Sequence, residues 1–152
     1  MATMEDFYTR PTANAGVKMP LITPTGERSE HWLQVLGVDS DAFREANAAA
    51  QRRAVDIAQI SDDAERKAVL ADEQRKLVAA LVSGWSFDQP CTRDVVAELF
   101  RQAPQIQDAV DKIASQRAIF FAISSASSNA TPSNNSGSTK SQKAQRRRSG
   151  RN

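Results

Sequence analysis

A chain of 152 residues with one cysteine and one histidine has room for neither an internal disulfide nor a Cys/His zinc site. Its formal net charge of +2 is a split. Residues 140–152 carry six Lys/Arg and no acid, which leaves 14 basic against 18 acidic residues in the rest. The basic character belongs to the C-terminal end and does not make the body a nucleic-acid binder.

The start, Met1-Ala2-Thr3-Met4-Glu5-Asp6, has neither a basic region nor an apolar core, so no signal peptide is expected. No run approaches the ~18 apolar residues of a membrane span, and a soluble intracellular protein is the expectation. Residues 1–28 read as an N-terminal arm, polar except for Phe7 and Tyr8. Within it, Val17–Ile22 reads as a short extended piece that Pro20 restricts to an edge or a loop. Thr23-Pro24-Thr25-Gly26 is a turn signal, so the arm has room for a short β-hairpin.

The main domain is expected over residues 29–123. A first helix is predicted after Gly26, with Trp32, Leu33, Val35 and Leu36 on one side and Gly37 at its end. Asp39 or Ser40 caps a second, whose apolar positions Phe43, Ala46, Ala50, Ala54 and Ile57 recur at threes and fours. Ser61 or Asp62 opens a third, with Asp62 and Glu65 resembling a capping box. This third helix is predicted to run through Val78, Leu81 and Val82 to Gly84. The second and third form an αα-hairpin across a short polar link. Thr92 caps a fourth helix that buries Val95, Val96, Leu99 and Phe100. Pro104 starts a fifth, along which Ile106, Val110, Ile113 and Phe120 follow. The expectation is an all-α fold: a small bundle of about five helices, with the hairpin optional.

From Ser124 to Asn152 the pattern stops, and no Val, Leu, Ile, Met or aromatic residue remains. Residues 124–152 read as a disordered Ser/Asn-rich tail ending in Lys140, Lys143, Arg146, Arg147, Arg148 and Arg151. Three roles are open to it: solubilising extension, salt-sensitive contact with phosphates, or contact with an acidic protein. It has no aromatic residue to stack on bases, which weighs against a single-strand reader.

No catalytic constellation stands out, and the protein reads as a non-enzyme without metal or cofactor. His31, beside Trp32, reads as a structural or surface histidine, because a triad needs a base with a nucleophile and an orienting group. Cys91 precedes a helix start, where a thiol can be activated; a small half-buried residue is the plainer reading. The pairs Asp39/Asp41, Asp62/Asp63 and Asp72/Glu73 adjoin helix starts or solvated faces and need only cap or solubilise. Asp39-Ser40-Asp41 alternates like the beginning of a calcium loop but lacks the rest.

The aromatics are better candidates for function. Trp85 and Phe87 read either as a plug closing the base of the helical hairpin or as anchors for a partner. Trp32 has the same two readings. Phe120 and Phe121 sit where the domain meets the tail; one should pack inward, and the other needs the tail or a partner to cover it.

Several short stretches carry a likeness: Ser29-Glu30-His31-Trp32-Leu33-Gln34-Val35-Leu36-Gly37, Asp39-Ser40-Asp41-Ala42-Phe43, Gly84-Trp85-Ser86-Phe87, Pro90-Cys91-Thr92, Ala103-Pro104-Gln105-Ile106 and Arg117-Ala118-Ile119-Phe120-Phe121. In this layout the chain resembles the tail assembly chaperones of long-tailed, siphovirus-type bacteriophages. The resemblance implies a helical domain ending in an Arg-x-x-Phe-Phe-like helix, followed by a low-complexity tail. It implies a protein of the host cytoplasm that binds the tape-measure protein, keeps it soluble while the tail tube assembles, and is absent from the mature virion. It also implies a longer product made by ribosomal frameshifting near the end of the short form, which recruits tail-tube protein. Trp32, Trp85, Phe87, Phe120 and Phe121 would be the contact residues; self-association stays open, and no catalytic residue is implied. Two other readings stand beside it: a head-completion or connector component of the virion, and a small nucleic-acid-binding protein acting through the basic tail.

Overall fold

The computed structural model describes residues 1–126, with side-chain surroundings as far as Phe121. The tract after Ala126, with all six of its basic residues, lies outside the described residues, while Ser124–Ala126 close the last helix.

The fold is mixed, not all-α. In chain order it runs through a 3-10 turn (Met4–Phe7), α1 (Arg10–Ala15), β1 (Val17–Ile22), β2 (Arg28–Val35), α2 (Asp41–Ala58), α3 (Asp63–Ala79), β3 (Val82–Trp85), α4 (Arg93–Gln102), α5 (Pro104–Ser115) and α6 (Arg117–Ala126). The strands form an antiparallel sheet in the order β1-β2-β3.

Two predicted helices are corrected by this sheet. The segment expected as a first helix is β2. Its apolar residues fit a helical face, but they also alternate: Leu33 and Val35 are fully buried, with half-buried Trp32 and Gln34 between them. A segment this short forms no helix unaided, so pairing with β1 decides its state. The hairpin that creates the pairing is the one the turn signal allowed. Thr23 and Glu27 close it through a 2.8 Å backbone bond, and Gly26 takes φ 91°, where a side chain would be strained.

The third predicted helix also stops early. Ala79 ends α3, Leu81 is buried, and Val82–Trp85 pairs with β2 as β3. Helical spacing through Val78, Leu81 and Val82 concealed the change of period. The fifth predicted helix is two: Gln116, at φ −92° and ψ 87°, breaks α5 from α6. Short α1 was not predicted at all. The αα-hairpin, in contrast, is present as α2 and α3, capped by Ser40 and Asp62. Thr92 caps α4, and Pro104 opens α5.

One face of the sheet, carrying Val17, Met19, Leu21, Leu33 and Val35, shares a core with Val78 of α3, Phe100 of α4, Val110 of α5 and Phe120 of α6. The other face carries Lys18, Pro20, Trp32 and Gln34.

The loop between β2 and α2 ties the elements together. The Gly37 N–H donates to Ala13 O at 3.0 Å and the Val38 N–H to Ala114 O at 3.1 Å. Asp39, 6% exposed, accepts from Arg117 Nε at 2.6 Å and from its terminal nitrogen at 2.9 Å, with Arg44 at 3.3 Å. These bonds, those from Arg117 first, hold the Asp39 carboxyl far below the usual carboxylate range. Asp41, one residue past the Ser40 cap, pairs with Arg10 of α1 at 2.7 Å.

Candidate functional site

The aromatic pair at Trp85 and Phe87 leads to the most open apolar surface near a sequence candidate. The end of β3 delivers Trp85, and the following loop is pinned from both sides. Trp85 Nε1 donates to Gln89 O at 2.7 Å. The Ser86 N–H donates to Trp32 O at 3.2 Å, while the Ser86 hydroxyl accepts from the Trp32 N–H at 2.9 Å. Phe87 therefore has a fixed seat. It meets Trp85 edge-on at 5.2 Å between centroids and stacks on His31 at 4.5 Å, both favourable ring geometries.

Opposite this aromatic wall runs α4. Val95 and Leu99, one turn apart, face it, and Pro90 closes an end. The result is a groove of about 480 Å³. Its one charged wall residue is Glu98, already matched: Arg101 reaches it through two bonds of 2.9 and 2.7 Å, and Gln102 adds a third at 3.1 Å. Those bonds, Arg101 first, lower the Glu98 carboxyl to about 2. The groove therefore offers aromatic and aliphatic walls with a self-neutralised rim, a chemistry suited to apolar side chains.

The other candidates are placed differently. Trp32 lies on the outer sheet face, half-buried, with Lys18 Nζ 4.3 Å from its ring centroid. Phe120 is 4% exposed and packs near Gly37, so it is a core residue in this state. Phe121 is half-buried beside Thr9, Thr12 and Val38. Trp85 and Phe87 are thus together, and Trp32 and Phe120/Phe121 lie apart from them. Cys91 packs half-buried against the core, and burial pushes its thiol up from the ordinary value. His31 Nδ1 is 3.1 Å from Ser86 Oγ, a bond that orders the loop.

Sequence reasoning missed two features. Val95 was assigned to the core but lines the groove, because α4 also turns a flank to the β3 loop. The Asp39–Arg117 pair joins residues 78 apart and has no local signature. Among the described residues no group of three His, Cys, Asp or Glu is placed to hold a metal ion, and no helix is long and apolar enough to cross a membrane. Comparison with protein families, with characterised proteins and with solved structures finds no match to this chain.

Proposed function

We propose that the protein is a phage tail assembly chaperone that binds the tape-measure protein, keeps it soluble in the host cytoplasm and is left behind when the tail is complete. In this reading a longer, frameshifted form engages the tail-tube protein. Two things support it: the sequence likeness and the groove between the β3–α4 loop and α4. The mixed fold does not contribute, since the resemblance implied a helical domain.

The groove is the observation that carries the reading. An aggregation-prone helical partner exposes apolar ridges with residues three and four apart. Trp85, Phe87, Val95 and Leu99 present a rigid apolar trough for such a ridge. Loop and helix are both fixed before binding, so little ordering entropy opposes docking.

The test is co-expression with the tape-measure protein encoded beside it, read by partner solubility and co-purification. The expected result is a partner soluble only in the presence of this chain. Trp85→Ala should abolish that effect while helical circular dichroism is retained. A partner whose solubility is unchanged, with nothing co-purifying, would overturn the proposal.

A further inference from the structure

β1 is an outer strand of the sheet, and its free edge can be assigned from the hydrogen bonds of its neighbour. Trp32 exchanges main-chain bonds with Ser86 and so faces β3. Alternation turns Leu33 toward β1, where it pairs with Met19. The main-chain groups of Lys18 and Pro20 therefore point away from β2, along the open edge. Pro20 is consistent with this, because its missing N–H falls where no ladder bond is made.

Beside this edge lies a second groove, of about 350 Å³, walled by Met19 to Ile22 on one side and by Ile106, Ala109 and Ile113 of α5 on the other. These three α5 residues recur at three and four and form one stripe. No charged residue lines the groove. An occupant has to meet two demands at once: an extended main chain for the strand edge, and apolar side chains for the helix stripe. The tract from Ser124 onward has no large apolar residue to offer. A second copy turned about a two-fold axis supplies both, its β1 against this β1 and its α5 beside this α5.

We propose that the protein self-associates through an isologous β1–β1 contact that joins two three-stranded sheets into one and closes the α5 stripes on each other. Local chemistry selects the register. Lys18 opposite the partner's Lys18 would set like charges together. Pro20 opposite the partner's Pro20 would set carbonyl against carbonyl without a donor. Lys18 opposite the partner's Pro20 gives each Lys18 N–H a carbonyl and places Met19 across the two-fold from the partner's Met19. Edge lysines ordinarily deter such pairing. Here the Lys18 ammonium is drawn over the Trp32 ring on β2, away from the edge.

The test is sedimentation velocity of the full chain over a wide range of concentration, with cross-linking to report the register. The wild type should shift from monomer to dimer as concentration rises. Met19→Cys in a Cys91→Ser background should oxidise to a covalent dimer, because facing residues of a non-hydrogen-bonded pair lie about 4.5 Å apart, within disulfide reach. Pro20→Cys in the same background should not. Ile106→Lys should weaken the dimer at least about tenfold, a cost expected for a charge entering an apolar contact. A chain monomeric throughout overturns the proposal. So does a dimer that forms no cross-link through position 19, whatever Ile106→Lys does. If Ile106→Lys fails to fold, the cross-link alone decides.

Discussion

Replacing Gly37 by Ala tests the tightest contact in the structure. A Cβ built at Gly37 would lie 2.8 Å from Ala13 Cβ, 3.2 Å from Ala13 Cα and 3.4 Å from Phe120 Cε2. Carbon atoms rest at about 3.5–4.0 Å, so the first contact is short by roughly 0.7–1.2 Å. Ala13 has no flexible end to swing aside; its methyl moves only if α1 moves. α1 is tied to the same loop by the Gly37 N–H to Ala13 O bond and by Asn14 and Arg10 on Asp41. Overpacking of this kind costs about 1–3 kcal/mol. Gly37→Ala should therefore unfold at lower urea with an unchanged m-value. Ala13→Gly alone should cost about 1 kcal/mol through helix propensity. Because it also removes the atom that is struck, the double variant should be more stable than the sum of the singles implies, by at least about 1 kcal/mol. Additivity of the two changes within about 0.5 kcal/mol would refute the steric account.

Asp39 gives a pH prediction. Its carboxyl titrates lower in the folded state than unfolded, so its contribution is full above about pH 4 and declines as pH falls toward the folded value. The stability gap between wild type and Asp39→Asn in urea titrations should be widest near neutrality and narrow below about pH 4; a gap independent of pH would remove the ion-pair explanation. Cys91, raised by burial, should react with iodoacetamide at mildly alkaline pH more slowly in the native protein than in urea, and native alkylation faster than that of a free thiol would show an activated cysteine instead. Removing residues 127–152 should leave capture of the tape-measure protein intact and abolish any salt-sensitive affinity for nucleic acid; loss of capture would move the binding site into that tract.

The fold was legible where a signal is local. Ser40, Asp62, Thr92 and Pro104 stand at helix starts because a cap or a preset φ acts within one turn. The Thr23–Gly26 turn and the edge position of Val17–Ile22 were readable for the same reason. What failed depended on partners distant in sequence. Trp32-Leu33-Gln34-Val35 satisfies either period, and only β1 on one side and β3 on the other make it a central strand. Val82–Trp85 follows a long helix directly, with nothing in its residue types to mark the change until Gly84, which pairs with Gln34.

The same division separates the two ends of the candidate site. Trp85 and Phe87 could be picked out because large aromatics in a Gly/Ser/Pro loop are conspicuous, but their facing wall could not, since Val95 and Leu99 share a helix with the buried Val96 and Phe100. A helix packed on one side exposes its flanks, and which flank becomes a wall is set by the loop that lies across it. The Arg117–Phe121 stretch shows the converse. Its residues suggested contact with a partner, yet Arg117 is engaged on Asp39 and Phe120 is enclosed near Gly37. That segment fastens α6 to the loop joining β2 and α2. In the folded chain, contact with a partner therefore falls to the trough beside Trp85, whose walls are already fixed and whose apolar side chains still face outward.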